Sequence, residues 1–319
     1  MGDNAVDGEA ELIQLRKDYG ELREKNRKLK AEAEKYQVIV GNATSYRFAD
    51  DDQNNPVHFN DDIKNLNGRI SKFITNLKNN VEIHSNKISE LLRDYKCNKE
   101  TIKDMQLVKD VLRRLVIETV INEFDKFCKS ENSCLETEIM NDLKLLDKLN
   151  TLTSSRSGND IMKSTLIKIR QQIYAILGSL AFANTADEKE HDHPFINNCK
   201  TQLINKINQY RTITDESKRK ETERQVSAIV RDVISIFYFR RYAQEPIVSY
   251  VWVKNDEPID SLTMTGTWNK DDEIDNLVVQ FCSFPLFGVE LEDQDKRQIY
   301  TPACVIAKED TPETIRQRA

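Results

Sequence analysis

LIQLRKDYGELREKNRKLKAEAEKYQVIV, residues 12–40, sets the expectation for how the chain begins. Leu12, Tyr19, Asn26, Ala33 and Val40 are spaced by seven. Leu15, Leu22, Leu29 and Tyr36 are also spaced by seven, offset by three from the first set. Apolar residues on this double spacing occupy the a and d positions of a heptad repeat, which predicts a coiled coil over residues 1–41. Leucine at d suits a parallel pair, and Asn26 at an a position fixes register at some cost in stability. Glu11 with Arg16 and Asp18 with Arg23 would attract across a parallel homodimer, whereas Lys25 with Lys30 would repel. The partner is therefore a second copy or a different helix with acid at those positions. The competing expectation is a single amphipathic helix folded onto its own body. The interaction residues this reading selects are Leu12, Leu15, Tyr19, Leu22, Asn26, Leu29, Ala33 and Tyr36.

A leucine heptad with asparagine at a is also the dimerisation half of a basic zipper. The DNA-reading half is a basic helix just before the zipper. Here the preceding residues are MGDNAVDGEAE, which are acidic. The whole chain carries a net charge of −6, so phosphate neutralisation does not drive it to nucleic acid. The acid excess lies at one end, since residues 254–313 hold 14 acidic and 5 basic side chains.

The composition is that of long helices: 31% charged residues with only 9 glycines and 7 prolines among 319. Residues 42–61, with an acidic triplet and Asn54, Asn55 and Pro56, read as a linker. Residues 62–245 then read as an elongated helical bundle, with apolar residues at three- and four-residue steps. Asp61 or Asp62 is the expected first cap, and the first helix is expected to run on to Tyr95. Residues 160–184 are apolar nearly all round and are expected to be the most buried helix. After Pro246 the pattern changes. IVSYVWV (247–253), LVVQFC (277–282) and IYTPACVIA (299–307) are short, β-branched and aromatic, which predicts a small acidic β-rich subdomain over 246–310. Pro302 confines the last run to an edge or a bulge. Residues 311–319 read as a tail. The fold class expected is mainly α: an N-terminal coiled coil, an elongated multi-helix bundle and a small C-terminal β subdomain.

The chemistry-bearing residues are sparse. Half of the 4 histidines fall in ADEKEHDHPF, residues 186–195. His191, Asp192, His193 and Cys199 could supply metal ligands, but zinc needs three or four that converge, and Pro194 opens the next helix. A polar surface loop is the simpler expectation, with no metal and no cofactor. His84 lies on an apolar helical stripe and is expected to be a packing residue. The 6 cysteines have no CxxC spacing, and MGDNAVDGEAEL lacks the apolar core of a secretory signal. Reduced structural thiols in the cytoplasm are expected, with the nucleus left open. The longest apolar run, Ile173 to Ala183, is too short to span a bilayer. There is no phosphate loop, dinucleotide fingerprint, HExxH or nucleophile elbow. Neither a catalytic residue nor a small-molecule substrate is indicated. The expected function is a non-enzymatic protein–protein interaction or scaffold role; a metal-dependent enzyme centred on His191 and His193 is the remote reading.

The order of paired helix, helical body and small β tail resembles the GrpE nucleotide-exchange factors. In the tail, Ile259 and Asp260 stand where that family has a Phe-Asp segment. Thr301, Pro302, Ala303, Cys304 and Val305 stand where it has an Arg-Pro-Ala-x-Val strand. Thr301 replaces the arginine, the glycine before the first segment is missing, and the helical body is longer. The resemblance covers about the last sixty residues and implies a co-chaperone that opens a chaperone's nucleotide cleft. The tail also resembles uncharacterised fungal coiled-coil proteins, a group without an assigned activity.

Overall fold

The computed structural model describes residues 16–30, 48–75, 81–97, 104–130, 134–156, 160–183, 192–266, 268 and 274–309. The chain divides into two compact units, residues 1–47 and 48–319. In the first unit, residues 16–30 form helix α1. The rest of the expected coiled coil lies outside the described residues, and no long coiled coil is evident among the described ones.

The second unit is mainly helical with small β-sheets towards its C-terminus. Helix α2 (Pro56–Thr75) begins inside the expected linker. The reason is local: the Asn55 side chain accepts a hydrogen bond from the backbone N–H of Val57, and Pro56 takes the first helical position, where its missing N–H costs nothing. Asn55 is thus the cap, and Asp62, one of the two expected caps, instead pairs with Arg240. The expected continuous helix to Tyr95 is interrupted. Strand β1 (Val81–Ile83) precedes a short helix α3 (Ser85–Asp94). Four long helices follow: α4 (Met105–Lys129), α5 (Leu135–Ser155), α6 (Asp160–Leu180) and α7 (Pro194–Asn208). Strand β2 (Arg211–Ile213) follows α7 and pairs antiparallel with β1. Helix α8 (Glu216–Ile234), capped by Asp215, runs into a π-helical stretch Ser235–Arg240 and a last turn α9 (Arg241–Ala243).

The helix at the centre is α4. Leu107, Val108, Val111, Leu112, Val116 and Val120 are all at most 1% exposed. Its apolar residues occupy more than one face, so neighbours cover it on several sides: α2, α3, α7, α8 and strand β5 (Leu277–Phe284). Helix α6, expected to be the most buried, sits at the periphery against α5, α9 and the π-helix. Ile169, Ile176 and Leu180 of α6 remain 41–66% exposed. An all-round apolar sequence records a capacity for burial; how many neighbours arrive is settled by the chain path.

The β region has two three-stranded sheets rather than one. Strands β3 (Ser249–Val251), β6 (Leu286–Val289) and β7 (Gln298–Thr301) form one in the order β3-β6-β7. Strands β4 (Met264–Gly266), β8 (Ala303–Glu309) and β5 form the other in the order β4-β8-β5, with β4 parallel to β8. The chain passes between sheets three times: between β3 and β4, and then at Pro285 and at Pro302. A proline cannot donate to a ladder, so each marks the corner where pairing changes partner. Pro302 therefore divides the run 299–307 into two strands of different sheets.

The β region shares part of its interior with the helices and keeps part of its own. Phe281, Phe284, Phe287 and Ile306 belong to the same hydrophobic core as α2, α4, α7 and α8. A smaller cluster with Leu277, Val279 and Cys282 lies on the other side of β5. Register shifts between Val279 and Phe281, and again between Cys282 and Phe284, turn the phenylalanines towards the helices. Arg114 of α4 ties the layers together. Its guanidinium lies 4.3 Å from the Trp252 ring centroid, pairs with Glu118 at 2.6 Å, and donates to the Cys282 carbonyl.

Candidate functional site

Three places hold the residues that could carry function: the heptad helix, the histidine loop and a cleft in the helical body. On α1, Tyr19, Leu22 and Leu29 are 68%, 62% and 54% exposed, and Asn26 is exposed with them. Leu22 and Leu29, two turns apart, are each more than half exposed, so that apolar surface is available to another helix. Leu12, Leu15, Ala33 and Tyr36 lie outside the described residues.

The histidine loop contributes to the framework. His193 is the N-cap of α7, and its Nδ1 accepts from the backbone N–H of Phe195 at 3.2 Å. That assigns the proton to Nε2. Asp192 accepts from Arg231 at 2.8 Å and from Ser227 Oγ at 2.6 Å. Burial opposes charge on Asp192, but Ser227 and Arg231 outweigh it and hold its carboxyl below the usual value. Cys199 is buried one turn into α7, and desolvation pushes its thiol up to about 12, so it is an unreactive core side chain. His191 lies outside the described residues. Among the described residues, no three His, Cys, Asp or Glu side chains converge to hold a metal. His84 bonds through its two ring nitrogens to the Gln209 carbonyl and the Thr212 hydroxyl, joining the β1–β2 ribbon to α3.

A cleft of about 940 Å³ opens where α2, α6, α8 and the π-helix meet. Sequence reading missed it, because its walls come from three segments well separated in the sequence, 51–69, 177–183 and 231–240. Arg69, Arg231 and Arg240 face it, as do Asp62 and Asp232. Each arginine has a carboxylate: Arg69 with Asp232, Arg231 with Asp192, and Arg240 with Asp62. Arg240 also donates to the Gln53 carbonyl and lies 5.5 Å from the Phe59 ring. Burial raises the Asp232 carboxyl above its usual value, with Arg69 pulling the other way and Asp62 adding repulsion. Gly178 makes the floor. A Cβ there would stand 2.5 Å from Arg240 Cγ, so only glycine admits this guanidinium between α6 and the π-helix. Ser235 at the cleft wall donates to the Gly178 carbonyl. The cleft's three arginines are therefore paired within the fold, and Ser235 is committed to backbone. It acts as an ion-paired seam between helices.

Of the tail residues that carry the GrpE resemblance, Ile259, Thr301, Ala303 and Val305 are interior, and Asp260, Pro302 and Cys304 are half-buried. Ala303 is 0%, Val305 4%, Thr301 5% and Ile259 9% exposed. Asp260 pairs with Arg297 at 3.0 Å and caps the turn to Thr263. None of the described helices is long and apolar enough to cross a membrane. No protein-family model, curated protein or solved structure matches the chain.

Proposed function

We propose that the chain is a non-enzymatic interaction protein whose N-terminal heptad helix pairs in parallel with a second copy and presents the folded body, residues 48–309, as a scaffold. The observation that supports this is the exposed row of Tyr19, Leu22 and Leu29 on α1, in register with the heptad spacing. Each leucine knob buried in such a seam contributes ~1.5–3 kcal/mol, and Asn26 opposite its own image selects two strands in register. The pairing is adequate rather than optimal in charge, because Lys25 faces Lys30 while Asp18 faces Arg23.

Molar mass by light scattering tests the proposal on the full chain. The wild type is expected at twice the chain mass of 37.0 kDa, and Leu22→Asp at the single mass. Leu22 is 62% exposed, so the substitution leaves the body folded. A wild type at single mass across the concentration range, or a Leu22→Asp chain that stays doubled, ends this reading.

A further inference from the structure

We propose that the outer face of α6 is a second docking surface, which takes an amphipathic helix with acidic flanks from another protein. It goes beyond the heptad pairing and does not depend on it. Ile169, Ile176 and Leu180 fall on one side of α6, at steps of seven and four, and are 41%, 57% and 66% exposed. Three large aliphatic side chains on one helical face is the pattern that a packed helix shows on its buried side. Here the buried side is elsewhere: Gln171, Ala175 and Leu177 point inward, 4–9% exposed, towards the π-helix and α5. The outer row is thus a second apolar stripe beyond what the fold uses. Helix α5 carries another, Leu145, Leu149 and Leu152, at 37–59% exposure.

Charge selects the occupant. Between residues 161 and 180 the sequence has Lys163, Lys168 and Arg170 and no acidic residue. Arg170 is held by Glu245, leaving exposed Lys163 and Lys168 beside the aliphatic row. A second copy of α6 would set lysines against lysines. The heptad segment 12–40, with eight basic and five acidic side chains, has the same sign and is also disfavoured. A helix with leucines on one side and glutamates flanking them satisfies both the apolar row and the lysines. The row spans roughly 17 Å at the helical rise, about three turns of a partner.

The test uses two fluorescent synthetic helices of about three heptads with identical leucine seams, one flanked by glutamate and one by lysine. The full-length chain is titrated into each and anisotropy is read. Saturable binding of the glutamate helix is expected, with the lysine helix at least about tenfold weaker. Ile176→Asp is expected to weaken the glutamate helix by about tenfold or more, as loss of a central anchor does. Lys163→Glu with Lys168→Glu is expected to reverse the preference between the two helices. Ile176 and both lysines are exposed, and an unchanged thermal melt confirms the fold in each variant. No saturable binding, equal binding of both helices, or binding that Ile176→Asp leaves intact overturns the proposal. So does a fall in the chain's own molar mass on Ile176→Asp, which would assign the face to a second copy.

Discussion

Gly178 and Asp192 show how single side chains fix the packing around the cleft. Gly178→Ala would drive a methyl into Arg240, whose guanidinium is already held by Asp62 and the Gln53 carbonyl. Because the clash falls on Cγ rather than on the mobile end, the helices must part. A loss of about 1–3 kcal/mol in urea unfolding is expected. Asp192 gives a pH-dependent prediction. Its carboxyl titrates below the usual 3.8 when folded, so the folded chain takes up that proton less readily than the unfolded chain. The bonds to Arg231 and Ser227 therefore contribute fully above 3.8 and are lost as pH falls through the folded value. Asp192→Asn should cost about 1–2 kcal/mol at neutral pH and close to nothing well below 3.8. Denaturant midpoints of both chains at the two pH values check this, and an equal gap at both would count against the ion pair.

At the scale of elements, the ends of helices decide where they stop and turn. The C-terminal end of α2 is closed by Arg211 of β2, which donates to the carbonyls of Phe73 and Ile74 and lies over the Phe73 ring. Arg211 is 1% exposed, and burial pushes its guanidinium down to about 10, so it stays charged at neutral pH. A cation suits a helix C-terminus, where carbonyls without helical partners concentrate negative partial charge. Arg211→Ala would orphan both carbonyls and leave a cavity. A loss of about 2–4 kcal/mol is expected in thermal or urea unfolding, and a change under half of that would show that water replaces the cap. The sequence displayed the N-terminal signals of α7 and α8, Pro194 after His193 and Asp215 before Glu216. It did not display this closure, because a long-range donor leaves no local pattern. The same holds for the short strands β1, β2 and β4, each three residues long and paired across a large sequence separation.

For the molecule as a whole, the shared core means that helices and sheets should unfold together. A β region with only its own core would melt by itself. Here Phe281, Phe284 and Phe287 are packed with the helical core, and Arg114 bridges α4 to Trp252. Both tryptophans, Trp252 and Trp268, lie in the β region, so their fluorescence reports the sheets while far-ultraviolet dichroism reports the helices. Coincident urea transitions are expected from the two signals. A fluorescence transition well separated from the dichroism transition would show that the sheets hold their own stability.

The sequence alone determined the helical class, the change to β structure after Pro246 and the heptad row of Tyr19, Leu22, Asn26 and Leu29. Each is written in local periodicity, which follows from 3.6 residues per helical turn and two per strand repeat. Tertiary structure alone decided which helix became the centre. The sequence marked residues 160–184 as the most buried helix; the path of the chain surrounded α4 instead and left one side of α6 open. It also decided the cleft, since Asp62, Gly178, Asp232 and Arg240 meet only when three distant segments pack. Periodicity specifies which face of an element wants covering, and only the assembled fold supplies the neighbour that covers it.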